Sequence, residues 1–189
     1  MEEGSVTVDG VTREQPKPFT VIATQNPVGS VGTQMLPESQ MDRFMVRLSM
    51  GYPDMESEIR MLKERHARNP MDTIGSMIDR RELIEMQQEV EQVFVHGEVY
   101  EYIAKLIGKT RENPMLNLGI SPRGTLALVA MTKAAAYWNN REYCLPDDVN
   151  SVFAAVASHR MLLSPKARVK HTSMRDVIEQ ILGSVKAPW

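Results

Sequence analysis

The stretch that most constrains the fold runs from Phe19 to Met50, FTVIATQNPVGSVGTQMLPESQMDRFMVRLSM. It opens with an apolar, β-prone run, Phe19–Ala23, which stops at a polar tip that ends with Asn26. In α/β sheets, ligands bind beyond the carboxyl ends of buried strands, so Asn26 is expected where a ligand would lie. The stretch therefore predicts an α/β unit with a ligand-facing polar tip.

A short helix and a second strand follow this tip after a glycine-bearing loop. Leu36-Pro37-Glu38 predicts a helix start with proline in the first turn, and the helix is expected to carry Met41-Asp42-Arg43. A strand is then predicted over Phe44–Met50. Two plainer interpretations stay open. The Asn-Pro step is compatible with a simple turn, and Arg43 beside Asp42 with a surface ion pair worth roughly 0–1 kcal/mol.

Composition narrows the class of protein. A chain of 189 residues with 42% hydrophobic and 24% charged residues is long and apolar enough for a packed core, and its net charge of -2 gives no global reason to expect nucleic acid or an anionic membrane. The single cysteine, Cys144, excludes an internal disulfide, and the four histidines have no metal-ligand spacing. No apolar run approaches a membrane span, so we expect a cytoplasmic protein without a structural metal.

The second part of the chain is predicted to be helical. Tyr52-Pro53-Asp54 marks the boundary, which gives predicted domains at 1–53 and 54–189. Helices are expected at 55–68, capped by Asp54, and after the capping residues Asp79, Ser121 and Ser173, with others from about Glu98 and Asp147. Two of them carry apolar stripes expected to be buried: Leu83, Met86, Val90 and Val93 in one, and Val99, Tyr102, Ile103, Leu106 and Ile107 in the next. These features predict a small helical bundle.

Two glycine-containing motifs have different interpretations. Asp9-Gly10 between alternating β-branched residues predicts a hairpin over residues 5–18. Gly108-Lys109-Thr110 looks like the end of a phosphate-binding P-loop, but Ile103 stands where the first glycine is needed and the surrounding pattern is helical. We therefore reject a P-loop there.

Arg123 lies in the first turn of the helix that Ser121 and Pro122 are expected to start. A cation at a helix N-terminus is unfavourable by roughly 0.3–1 kcal/mol. Its placement makes sense if an anion such as a phosphate lies at the same helix end. A side chain that simply points into water is the alternative.

These residues give the chain a resemblance to the MoxR family of AAA+ ATPases. The segments that carry it are Ile22–Pro27, Leu36–Phe44, Gly51–Pro53, Thr110-Arg111, Gly119–Arg123, Leu145–Val149 and Ser158–Pro165. Essentially the whole chain is covered, although Gly124 stands where the family more usually has alanine. The resemblance implies an α/β fold, an incomplete AAA+ P-loop core with a β-hairpin insert, followed by an all-α helical lid bundle.

The resemblance also implies roles for three residues. Asn26 matches sensor 1, the asparagine that orients the attacking water. Arg43 resembles the arginine finger, which is presented to the nucleotide of the neighbouring subunit. Arg123 matches sensor 2, the lid arginine that touches the β- and γ-phosphates. The hairpin would face the pore of the ring, with an exposed ribbon as the alternative.

The implied function is ATP-driven, chaperone-like remodelling or activation of partner complexes. It implies ATP and Mg²⁺ as ligands of the intact protein, a homo-oligomeric ring such as a hexamer, and clients that are von Willebrand factor A domain proteins or metalloenzymes. No membrane or nucleic-acid partner is expected. The alternatives are a non-catalytic protein-interaction module and a helicase-like or magnesium-chelatase-like AAA+ subunit.

No stretch of the chain fits Walker A or Walker B. Both are expected upstream of Met1, because Met1-Glu2-Glu3 resembles the segment that follows Walker B. Phosphoryl transfer needs the P-loop and a held Mg²⁺, so this chain alone is expected neither to bind Mg-ATP tightly nor to hydrolyse it. The two predicted strands would leave open sheet edges, which self-association is expected to cover.

Overall fold

The computed structural model describes residues 4–25, 36–64 and 74–189. The first element is the predicted hairpin, in which β1 (Ser5–Val8) pairs antiparallel with β2 (Val11–Glu14). Its turn has positive φ at both central residues, 52° at Asp9 and 77° at Gly10. This is the type I′ geometry that fits the twist of paired strands, so the hairpin prediction is confirmed.

The short helix α1 spans Glu38–Met41, directly after Pro37. It is shorter than predicted, because Asp42 is its C-terminal cap and Arg43 lies in the turn that follows. The amide of Arg43 donates to the carbonyl of Gln40 at 3.2 Å, a bond that tightens the chain into this turn. Arg43 is thus carried by a turn and not by a helix.

The two predicted strands are wrong for the described residues. Phe19–Ala23 and Phe44–Met50 have no strand assignment, and the sheets that the described residues form are two-stranded ribbons elsewhere. A strand exists only where a neighbour supplies hydrogen bonds. The backbone of the second segment bonds to a helix instead: the amide of Arg47 donates to the carbonyl of Ala155 at 2.9 Å.

Helices dominate the rest of the structure. They are α2 (Met55–Glu64), α3 (Arg80–Gln92), α4 (Gly97–Glu112), α5 (Pro122–Trp138), α6 (Pro146–Ala157), α7 (Pro165–Val169) and α8 (Met174–Ser184). A small antiparallel ribbon, β3 (Leu116–Leu118) with β4 (Leu162–Leu163), joins the loop after α4 to the loop after α6. Neither this ribbon nor α7 was predicted from the sequence.

Four helices begin at the capping residues that the sequence predicts. Asp54 accepts from the amide of Ser57 at 2.8 Å, and Asp79 and Ser173 each form a complete capping box. Ser121 accepts from the amide of Gly124 at 3.1 Å at the start of α5. Each such cap is typically worth about 1 kcal/mol.

The core lies between α4, α5, α6 and α8. The predicted stripe of α4 is fully buried: Val99, Tyr102, Ile103, Leu106 and Ile107. The stripe of α3 is only half-buried, apart from Val93. The strongly apolar sequence of α5 predicts a helix inside the bundle, but Leu126 and Trp138 are 72% and 79% exposed because only one face of this helix packs on the core.

Candidate functional site

The turn before α5 is held by the C-terminal end of α4. The hydroxyl of Thr110 donates to the carbonyl of Ile107 at 2.7 Å and accepts from the amide of Ile120 at 3.1 Å. Arg111 donates through Nε to the carbonyl of Ile120 at 2.9 Å. A Cβ at Gly119 would lie 2.8 Å from backbone atoms of Thr110 and Arg111, so only glycine fits this approach. The start of α5 is therefore fixed in place.

The P-loop-like triplet has a structural role in this arrangement. Gly108-Lys109-Thr110 lies inside α4, in agreement with the rejection of a P-loop there. Its threonine is fully buried and serves the turn just described. It is therefore not placed to bind a phosphate.

A carboxylate occupies the N-terminal end of α5. The hydroxyl of Ser121 lies 3.1 Å and 3.0 Å from the two carboxylate oxygens of Asp42, to which it donates. Nη1 of Arg123 lies 3.9 Å from Oδ2 of the same carboxylate. The anion expected at this helix end is thus supplied, in this structure, by Asp42, where the helix dipole favours a negative charge.

Arg160 fastens the turn after α1 to the helical bundle. Its Nε donates to Oδ1 of Asp42 at 3.1 Å. Its two terminal nitrogens donate to four carbonyls: Asp42 at 3.2 Å, Phe44 at 2.6 Å, Met45 at 3.0 Å and Val156 at 2.5 Å. The side chain is 1% exposed. A buried guanidinium with this many acceptors is well satisfied, so it holds residues Asp42–Met45, which we call the anchored turn.

Electrostatics at the anchored turn follow from burial. Desolvation lowers the pKa of Arg160, and the Asp42 carboxylate opposes that shift. Burial is also the main cause that lowers the pKa of His159; Arg160 and Arg47 lower it further, while the Phe44 carbonyl and Asp42 oppose the change. The imidazole is therefore held neutral beside a buried cation, and its Nε2 lies 3.0 Å from the carbonyl oxygen of Phe44.

The structure connects two of the three predicted site residues. Arg43 is exposed and lies inside the anchored turn, between two residues that Arg160 binds. Arg123 is 38% exposed and meets the same turn through Asp42. Asn26 lies outside the described residues. Its assignment to sensor 1 and its distance from Arg123 stay predictions.

Asp42 and Arg160 are the residues that sequence reasoning missed. The sequence indicates for Asp42 only a surface ion pair with Arg43, and it indicates no role for Arg160. No local pattern marks Arg160, because a charged side chain is rarely buried unless it is paired and its partner Asp42 lies 118 positions away in the sequence.

The described residues contain neither a metal-binding cluster nor a membrane-spanning helix. No group of three or more His, Cys, Asp or Glu residues there could hold a metal ion. None of the helices in this part of the chain is long and apolar enough to cross a membrane.

Family comparisons agree with the architecture. Residues 1–46 match the ATPase family associated with various cellular activities, AAA, and residues 108–181 match the AAA lid domain. A crystal structure from Cytophaga hutchinsonii, described as that of a candidate ATPase, superposes with a TM-score of 0.90 at 32% identity and covers 100% of this chain and 60% of its own. The fold class predicted from the sequence, an incomplete AAA+ core followed by a helical lid, is thereby confirmed.

Two curated relatives narrow the group. The chain is 40% identical to the uncharacterised protein YeaC of Bacillus subtilis, over 100% of the chain and 59% of YeaC. It is 31% identical to the chaperone MoxR1 of Mycobacterium tuberculosis, over 100% of the chain and 52% of MoxR1. The chain thus spans little more than half the length of these relatives.

The fold and the matched segments define an AAA+ ATPase core segment with its lid domain. Within that class the chain belongs to the MoxR-like AAA+ ATPases. The boundary predicted at residue 53 is not tested by these matches and stays a prediction.

Proposed function

We propose that this chain is the sensor and lid part of a ring-forming MoxR-type ATPase that uses ATP to remodel or activate partner complexes. In this proposal Asn26 orients the attacking water. Arg43 neutralises phosphate charge across the subunit interface, and Arg123 links the lid to the state of the nucleotide. Mg-ATP is the substrate, and its Mg²⁺ would be held by residues of the segment expected to carry Walker A and Walker B.

The observation that carries the proposal is the contact of Arg123 with Asp42, the residue next to Arg43. It brings the two cations with proposed phosphate roles to one turn. Phosphoryl transfer is catalysed mainly by positioned charge, so a turn that carries Arg43 and contacts Arg123 through Asp42 is suited to it.

The contact of Arg123 with Asp42 is weak enough to be compatible with phosphate binding. Its atoms are 3.9 Å apart and the arginine is 38% exposed. Such pairs contribute roughly 0–1 kcal/mol. A triphosphate carries more negative charge than one carboxylate and offers bidentate acceptors, so it would compete for this guanidinium.

The partners are part of the same proposal. The relative named chaperone MoxR1 supports a chaperone-like role. We extend it to a cytoplasmic homo-oligomer, a hexameric ring, acting on proteins with von Willebrand factor A domains or on metalloenzymes. The family resemblance alone supports these partners.

Subunit mixing tests the proposal in the intact protein. Arg43→Ala should lower kcat for ATP by at least about a thousandfold, as loss of an arginine finger does, and should spare ATP binding. Adding Asn26→Ala subunits, which keep Arg43, should restore turnover in the mixed ring. The control is Arg175→Ala, which removes an arginine that is 86% exposed in α8. Full activity of Arg43→Ala, or no rescue on mixing, would reject the role of Arg43 between subunits.

The chain alone provides a second test. It is expected to show no measurable ATP turnover, because no stretch of it fits the P-loop or the acidic residue that the chemistry needs. A phosphate-release assay on the 189-residue chain checks this. Turnover equal to that of the intact protein would contradict it.

A further inference from the structure

We propose that Arg160 is a positioning residue for ATP hydrolysis, which holds Arg43 in the orientation that reaches the neighbouring nucleotide. The inference rests on the proposed function of Arg43. It assigns a role in the reaction to a lid residue whose side chain is 1% exposed.

The geometry of the anchored turn supports this role. Arg160 binds the carbonyl and carboxylate of Asp42 on one side of Arg43 and the carbonyls of Phe44 and Met45 on the other. The backbone on both sides of Arg43 is thus tied to one buried group. The Arg43 side chain stays exposed, so it is free to face a second subunit.

Arg160 and Asp42 are in turn held by helices of the lid. Arg160 donates to the carbonyl of Val156 in α6, and Ser121 at the start of α5 donates to Asp42. The amide of Arg47, just after the anchored turn, is bonded to Ala155 in the same helix. A small shift of the lid would therefore move the anchored turn, and a displacement of about 1 Å can lower a rate about a hundredfold.

Only arginine has the shape to bind Asp42, Phe44 and Met45 at once. Its planar fork presents five N–H donors in fixed directions, whereas a lysine ammonium is a single point with three. Arg160→Lys keeps the charge and removes the simultaneous grip on both sides of Arg43. Asp42→Asn keeps the size of the side chain and removes the shared negative charge.

The first experiment separates positioning from folding by steady-state kinetics of the intact protein. Arg160→Lys and Asp42→Asn should each lower kcat by about tenfold to a hundredfold. The KM for ATP should change by less than about twofold, because the residues affected act on the transition state. An unchanged kcat for Arg160→Lys would overturn the proposal.

The matched control is another ion pair of the lid. Arg141 donates to both carboxylate oxygens of Asp148, at 2.7 Å and 2.5 Å, and Asp148 is 4% exposed. Within the described part of the chain, the side-chain hydrogen bonds of this pair go to each other and to the backbone of Tyr143 and Leu145, not to the anchored turn. Arg141→Lys should lower thermal stability and leave kcat per folded subunit unchanged. An equal loss of kcat in Arg141→Lys and Arg160→Lys would mean that Arg160 only stabilises the lid, and would overturn the proposal.

The second experiment tests whether Arg160→Lys impairs hydrolysis in its own subunit or in the neighbouring one. Arg160→Lys subunits still contain their own hydrolytic site, so their defect should lie in what they present to a neighbour. Mixing with Asn26→Ala subunits, which supply an undisturbed Arg43, should restore turnover as it does for Arg43→Ala. Rescue of Arg43→Ala without rescue of Arg160→Lys would overturn the positioning role alone. An active Arg43→Ala protein would instead reject the proposed function beneath it.

Discussion

At the scale of single residues, the candidate site depends on the contact between Asp42 and Arg160. The carboxylate is 24% exposed and the guanidinium 1%. Removing one partner of a buried pair typically costs about 3–5 kcal/mol, mainly because the other charge is left unpaired. Replacing both can be neutral, so this pair contributes geometry more than stability.

His159 provides a pH-dependent test of the same region. Its pKa is lowered from the ordinary value of 6.5, first by burial. Below pH 6.5 the unfolded chain therefore takes up a proton that the folded chain does not. The free energy of unfolding should fall as the pH drops from 6.5 to the lowered pKa, by at most about 1.4 kcal/mol for each pH unit from this group.

Urea unfolding of the chain at pH 7.5 and at pH 5.5 measures this effect. Above pH 6.5 His159 contributes no pH dependence, since both states are neutral. His159→Gln should show a smaller loss of stability between the two pH values than the parent chain. Equal losses in the two proteins would show that the imidazole is not buried beside Arg160.

Residue-scale prediction succeeded where the signal is local. Ser121 was identified as a cap because its partner, Gly124, is three positions away. Arg160 escaped prediction because its acceptors at Asp42, Phe44 and Met45 lie 115 to 118 positions away along the chain. A single sequence does not contain the information that brings such groups together.

At the scale of elements, Gly124 explains how closely α5 approaches the segment after α6. A Cβ at Gly124 would lie 2.5 Å from Cγ2 of Ile120 and 2.6 Å from Cδ of Arg160. Glycine has a low helix propensity, so by itself Gly124 weakens the first turn of α5. The structure adds a reason for it, because here a larger side chain would displace Arg160.

Two glycine-to-alanine changes should therefore have opposite effects. Gly124→Ala gains about 0.5–1 kcal/mol of helix preference but overpacks a buried contact, which typically costs about 1–3 kcal/mol. It should be net destabilising. Gly108→Ala in α4 meets nothing within 4 Å, so it should stabilise the chain by about 0.5–1 kcal/mol. Urea titrations of both variants check the signs, and a stabilising Gly124→Ala would contradict the described position of Arg160.

The helices were easier to predict than the strands for a physical reason. A helix satisfies its own backbone, so stripes and caps within α4 and α8 were enough to locate them. A strand needs a partner, and Phe19–Ala23 and Phe44–Met50 have none among the described residues. Their composition is suited to β-structure, but composition alone does not supply a neighbouring strand.

At the scale of the whole molecule, the lid is a packed body and the segments before it expose apolar side chains. Ile22 is 88% exposed, Leu48 76%, Met50 97% and Tyr52 94%. Exposed apolar side chains near unpaired backbone favour association with other chains. The lid, in contrast, buries the middle of α4 almost completely.

We therefore expect the chain to self-associate in a concentration-dependent way. Light scattering coupled to gel filtration should give a mass that rises above the monomer value of 21.4 kDa as the concentration increases. The double variant Ile22→Lys with Leu48→Lys should lower that mass, because each lysine places a charge in the contact. Leu126→Lys, at a residue that is 72% exposed on α5, is the matched control and should leave the mass unchanged.

A constant monomer mass at high concentration would mean that these side chains do not drive association. An equal response to Leu126→Lys would place the contact on the lid instead.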